Sequence, residues 1–108
     1  MKVTNLGEFE ELVLLTIGVL NTNAYGISIK AFLKEKTGRN PSIGALHSAL
    51  SRLEKKGYVK SRIEDATPER RGRRKRFYDL TAAGRKVLVK VHELRSTLLH
   101  EIPSIQLS

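Results

Sequence analysis

Residues 69–76 read Glu-Arg-Arg-Gly-Arg-Arg-Lys-Arg, six basic side chains in eight positions. Guanidinium groups at this density suit one chemistry above others. They neutralise phosphates, by forked hydrogen bonds and by release of condensed counterions. Arg also enters a narrow minor groove, where the potential is most negative. The window 52–76 holds Arg52, Lys55, Lys56, Lys60, Arg62, Arg70, Arg71, Arg73, Arg74, Lys75 and Arg76, which is 11 of the chain's 20 basic residues. Only Glu54, Glu64, Asp65 and Glu69 interrupt it. A solvated face normally mixes signs, so this concentration points to a polyanion.

Other chemistries find little support. His47, His92 and His100 lie 45 and 8 residues apart, without the spacing of a metal motif, and there is no Cys. No nucleophile elbow, Ser-x-x-Lys pattern or Walker-type loop frames a catalytic group, so neither an enzyme nor a cofactor is expected. The six aromatics, with no Trp, argue against a stacking platform for single strands. A membrane-binding basic helix needs bulky apolar residues opposite its charges, and the Arg-rich segment has none. The longest apolar run, Leu12 to Leu20, is too short to span a bilayer. The N-terminus shows no signal-peptide pattern, so a cytoplasmic location is expected.

The 108 residues fit one domain with a small core, and 20 basic against 11 acidic residues give a net charge of +9. The basic segment must be positioned by the elements around it. A first helix is expected from about Leu6 to Asn21, with Glu8, Glu10 and Glu11 favourably placed in its first turns. It is apolar nearly all round, so it is buried on more than one side. Its second side faces either another subunit or the centre of its own core. Asn21-Thr22-Asn23 ends it. A second helix runs from Tyr25-Gly26 to about Lys36, closed by a left-handed cap at Gly38 and by Pro41.

Ser42 caps a third helix. Its residues Ile43, Leu46, Leu50 and Leu53 make a core stripe. The opposite face carries Gly44, Ala45, Ser48, Ser51, Arg52 and Lys55, small at one end and basic at the other. Such a face can lie close against a partner. His47 stands at its flank, as a phosphate donor or as a partly buried histidine. Gly57 ends the helix. Tyr58 to Glu64 alternates as a strand, with Val59 and Ile63 on one side. Asp65 to Lys75, with Pro68 and Gly72, must turn, and Arg76 to Leu80 returns, with Tyr78 and Leu80 on one side. Arg76 is placed to brace the strand. Thr81 caps a last helix from Ala82 to about Glu101, cut off by Pro103. In it Val87, Val91, Leu94 and Leu98 are spaced as a heptad seam. That seam either packs on its own domain or pairs two chains, and little else in the chain remains to cover it.

The expected fold is mainly α with a small β-hairpin: a winged helix-turn-helix over residues 1–81, and a C-terminal dimerisation helix and tail over 82–108, in one compact unit. In such a fold the third helix enters the major groove of duplex DNA and the wing meets the backbone. The expected DNA-binding residues are Ser42, Gly44, Ala45, His47, Ser48, Ser51, Arg52 and Lys55 on the helix, and Arg70, Arg71, Arg73, Arg74 and Lys75 on the wing. The expected dimer contacts are Leu12, Leu15, Val19, Val87, Val91, Leu94 and Leu98. The alternatives are an RNA- or ribosome-associated winged helix that reads shape, and a protein-interaction module whose charges only solubilise it.

Four stretches resemble the PadR-like transcriptional regulators: Tyr25-Gly26-Ile27, Ser42-Ile43-Gly44-Ala45-Leu46-His47, the Leu-x-Arg-Leu-Glu-x-x-Gly block around Arg52, and the Tyr-x-Leu-Thr-x-x-Gly block ending at Gly84. The resemblance covers roughly residues 7–90, and the short tail resembles the branch with a single C-terminal helix. It implies a homodimer whose last helix packs on the first helix of the partner. It further implies a palindromic operator, repression, and release when a small-molecule effector binds. Ala45, His47 and Ser48 stand where the family usually has Thr, Tyr and Pro, so no operator sequence carries over. Some members bind flat aromatic drugs between Trp residues at the dimer seam, and this chain has no Trp.

Overall fold

The computed structural model describes residues 6–65 and 74–105. The elements run α1 (Glu8–Leu20), a 3₁₀ turn (Asn21–Asn23), α2 (Gly26–Thr37), α3 (Ile43–Lys55), β1 (Val59–Glu64), β2 (Lys75–Leu80) and α4 (Ala82–His100). This is the expected mainly helical fold with one antiparallel hairpin.

Helix α1 starts where the Gly7 N–H donates to Glu10 Oε1 at 3.0 Å. Its inward stripe is Glu10, Val13, Leu14 and Ile17, at i, i+3, i+4 and i+7. Leu15 and Val19 lie off that stripe and are exposed, Val19 by 65%. The first turn of α2 is closed by Ser28 Oγ, which accepts from the Tyr25 N–H at 2.9 Å and donates to Asn23 O at 2.8 Å. Ile29 and Leu33 carry α2 into the core. Gly38 ends it in the left-handed conformation at φ 76°, as its position predicts. Lys30 then holds the connection to α3, donating to Asn40 Oδ1 at 2.9 Å and to Pro41 O.

Helix α3 is capped by Ser42, whose Oγ accepts from the Ala45 N–H at 3.0 Å. Leu46, Ala49, Leu50 and Leu53 are its buried residues. The predicted core stripe therefore needs one correction: Ile43 is 46% exposed and Ala49 takes part in its place. At about 100° per residue, Ile43 lies on the edge of the stripe, while Ala49 falls within it.

The hairpin pairs Val59 with Leu80 through to Glu64 with Lys75. Tyr78 and Val59 face the helices and join the core, while Ile63, further out on the same side, is exposed. Phe77 is buried on the other face. It meets Tyr25 edge-on, ring centroids 5.2 Å apart, with the Arg62 guanidinium 4.8 Å from its centroid. The Tyr78 N–H donates to Ala24 O at 2.8 Å, so the residues before α2 hydrogen-bond to β2.

Helix α4 is seated by Thr81. Thr81 Oγ1 donates to Gly57 O at 2.6 Å and accepts from the Gly84 N–H at 3.0 Å. The Thr81 N–H reaches Tyr58 O at 3.1 Å. Gly84 is buried so close beneath this turn that a Cβ there would lie 2.2 Å from Tyr58 O. The heptad seam divides. Val87 and Val91 are buried in the domain's own core, so the single chain already covers them. Leu94 and Leu98 remain exposed, Leu98 by 55%. Beyond Val91 the 19-residue α4 contributes no buried residue, although Arg95 still donates to Glu11 Oε1 of α1 at 2.8 Å.

Candidate nucleic-acid interface

Three supports hold α3 with one face to solvent: its apolar stripe, the Ser42 cap, and an ion pair network at its far end. Glu10 of α1 accepts from Arg52 Nε at 2.6 Å and from Lys56 Nζ at 2.7 Å. Burial of Glu10 opposes its ionisation. Hydrogen bonds from Lys56, the Gly7 N–H and Arg52 outweigh that and hold its pKa at about 2. Arg52, expected on the DNA face, is thus committed to α1 on one side of its guanidinium and half exposed on the other.

Between these supports the exposed face carries Gly44, His47, Ser48, Ser51 and Lys55. A Cβ built on Gly44 would meet nothing within 4 Å, so the backbone there can be approached closely. Among the described residues, His47, Ser48, Ser51 and Lys55 have no side-chain hydrogen bond to another residue. His47 is exposed, and the partly buried reading of it is set aside: at 100° per residue it sits well away from the core stripe. Ser42 uses its oxygen as an acceptor in the cap and keeps its O–H as a donor. Ala45 lies to one side, lining a shallow groove with Phe9, Arg39, Asn40 and Pro41.

The root of the wing is bound to the body by cations turned inward. Arg62 donates from Nε to Asp79 Oδ2 at 3.0 Å and from Nη2 to Thr22 O at 3.0 Å, and also pairs with Glu64. Lys75 Nζ lies 3.9 Å from the Tyr25 ring centroid and is partly buried. That cation–π contact draws Lys75 back from the phosphate-facing role expected of it. Arg76 bridges the strands, donating from Nη1 to Ser61 Oγ at 2.9 Å, as expected of a brace. Arg74 is exposed and 3.8 Å from an exposed Asp65, a pair weak enough to open for a phosphate. Arg70, Arg71 and Arg73 lie outside the described residues.

Two roles were missed in reading the chain alone. Glu10 is more than a charge placed to suit the helix dipole: its position on the stripe with Val13, Leu14 and Ile17 turns it inward. Arg62 belongs by sequence to the basic segment, but Asp79, two places from its cross-strand partner Phe77, lies diagonally within its reach. Among the described residues no group of three metal-binding side chains converges.

The comparisons agree with this geometry. The complex structure of hsRosR-S1 is 25% identical, with a TM-score of 0.73 over 94% of this chain and 83% of that one. A PadR-like transcription factor from Bacteroides fragilis is 25% identical, with a TM-score of 0.68 over 87% and 89% of the two chains. A PadR family transcription regulator from Clostridium difficile R20291, at 24% identity, shares the fold with a TM-score of 0.68, over 88% of this chain and 97% of that one. No curated protein matches in sequence. The model of the transcriptional regulator PadR-like family matches residues 14–90. That span runs from the core of α1 through the open face of α3 and the wing to the first half of α4, and the chain belongs to the PadR-like family of transcriptional regulators.

Proposed function

We propose that the protein acts as a homodimer that binds duplex DNA at an inverted-repeat operator and represses transcription there. The open α3 face carries this reading. It offers the small residues Gly44, Ser48 and Ser51, together with Lys55, to a groove. The sequence between β1 and β2 concentrates Arg70, Arg71, Arg73 and Arg74, which suit the backbone or the minor groove. Lys55 binds a phosphate, and Ser48 and Ser51 contact base edges. A repressor of this kind lets go when a small-molecule effector changes the spacing of the two copies of α3. No described helix is long and apolar enough to cross a membrane, and the proposed site of action is the cytoplasm.

The dimer is supported by Leu15 and Val19 on α1 and by Leu94 and Leu98 on α4, all exposed in the single chain. Isolated apolar residues on a surface are ordinary, but four on the two helices that flank the DNA-reading unit match a helix-on-helix interface. Replacing both Leu15 and Val19 with Glu is expected to give a folded monomer by sedimentation velocity. Operator affinity should fall by more than about tenfold, since each half-site then binds alone. An unchanged dimer would remove α1 from the interface.

Enrichment of binding sites from a random duplex pool tests the reading as a whole. It predicts two inverted half-sites with centres about one helical turn, or a multiple of it, apart. A pool that stays unenriched, or that yields a single asymmetric site, contradicts it. Arg73→Ala with Arg74→Ala should weaken binding to enriched and unenriched duplexes alike. It should also flatten the salt dependence by about one to two units for each wing that meets phosphate.

A further inference from the structure

The residue that left the core stripe is the informative one. Ile43 is the first residue of α3, directly after the Ser42 cap, and 46% of its surface is in water. Every Cα–Cβ bond in a helix tilts toward its N-terminus, so the Ile43 side chain projects beyond the start of α3. That end of a recognition helix makes most of the base contacts. Gly44 follows it with open space on all sides, and His47 stands one turn on along the same flank. The remaining open face is glycine, hydroxyl and ammonium. Ala45 faces the groove beside Phe9 and Arg39 instead. Ile43 is therefore a large apolar side chain at the N-terminal end of the open α3 face. Many other exposed apolar side chains, such as Leu94, Leu98, Leu99, Ile102 and Ile105, belong to α4 and the residues after it.

We infer that Ile43 is a specificity residue that packs on the C5-methyl group of a thymine in the major groove. Among the four bases only thymine offers an apolar atom there, so an isoleucine at this place favours thymine over cytosine without any hydrogen bond. This inference rests on the proposed binding of duplex DNA by α3. It adds a base preference that the polar residues of the face do not supply.

The test removes only the methyl group. In the enriched duplex each thymine is replaced in turn by deoxyuridine, and affinity is measured at fixed salt. The wild-type protein is expected to lose about fourfold at one position in each half-site, the worth of one buried methyl-sized group. Ile43→Ser, and independently Ile43→Asn, leave no methyl to meet the thymine, so each should bind the thymine and deoxyuridine duplexes equally at that position. Ile43 contributes nothing to the buried stripe, so thermal unfolding of both variants should stay near wild type. Wild-type binding indifferent to deoxyuridine at every position overturns the inference and leaves duplex binding standing. So does a deoxyuridine loss that persists in both variants. Absence of any salt-dependent duplex binding by the wild type overturns both.

Discussion

Gly84→Ala is expected to lower the melting temperature by more than about 10 °C, corresponding to roughly 3 kcal/mol in a domain of this size. Gly84 has no unusual backbone angle, so the effect is one of space. Its Cβ would stand 2.2 Å from Tyr58 O and 3.1 Å from Tyr58 C, and both are backbone atoms at the junction of α3 and β1. Neither can swing aside as a side-chain end would. Relief requires α4 to lift, which breaks the Thr81 hydrogen bonds to Gly57 and Gly84 and withdraws Val87 from the core. Gly44→Ala is the matched control. It sits in a helix with nothing within 4 Å, so it should leave stability equal or higher by about 0.5 kcal/mol. Equal melting temperatures for the two variants would show that α4 is not seated through this contact.

The second large effect belongs to Glu10. Its pKa is held at about 2 in the folded protein, against an ordinary value of 4.5. A carboxyl with a depressed folded pKa contributes stability that is complete above its unfolded pKa and is lost as pH falls toward the folded one. The contribution is about 3 kcal/mol. It should be fully present at neutral pH and fade between about pH 4.5 and 2. Glu8, whose carboxyl is lowered by its hydrogen bond from Arg39, adds in the same direction. Glu10→Gln should show the loss already at pH 7, as a lower urea midpoint, and then a flatter decline on acidification. Its Gln side chain leaves the Arg52 and Lys56 cations without their buried partner. A variant that tracks the wild type from pH 7 to pH 2 would place the tie between α1 and α3 elsewhere.

The parts legible in the sequence were those set by short-range chemistry. Ser42 and Thr81 before helices, Gly38 after one, and the alternation across β1 and β2 are each decided by neighbours within a few residues. The resemblance through the Thr-x-x-Gly block added the family, although only the structure shows why its glycine is needed. Long-range choices were less visible. Whether Val87 and Val91 cover their own domain depends on how far α4 overlaps the core, which spacing alone leaves undecided. Ile43 fits a stripe by count and escapes it because it stands at the stripe's edge in the first turn of α3. Lys75 reads as one more wing cation until Tyr25, fifty residues earlier, is found beneath it. The site shows the same division. The open face of α3 was readable from residue size, while the internal partners of Arg52 and Lys75 required the tertiary fold.

One measurement bears most directly on the claim that α3 and the wing together grip duplex DNA. The affinity of the purified protein for its enriched duplex is followed by fluorescence anisotropy across a salt series, with duplex RNA of the same sequence as competitor. With Lys55, Arg74 and the other arginines of residues 70–73 in each chain, the proposed dimer should neutralise at least six phosphates. The predicted result is a log–log salt slope of about −5 or steeper, with RNA displacing the DNA only at large excess. A slope near zero, or RNA competing on equal terms, would contradict the account.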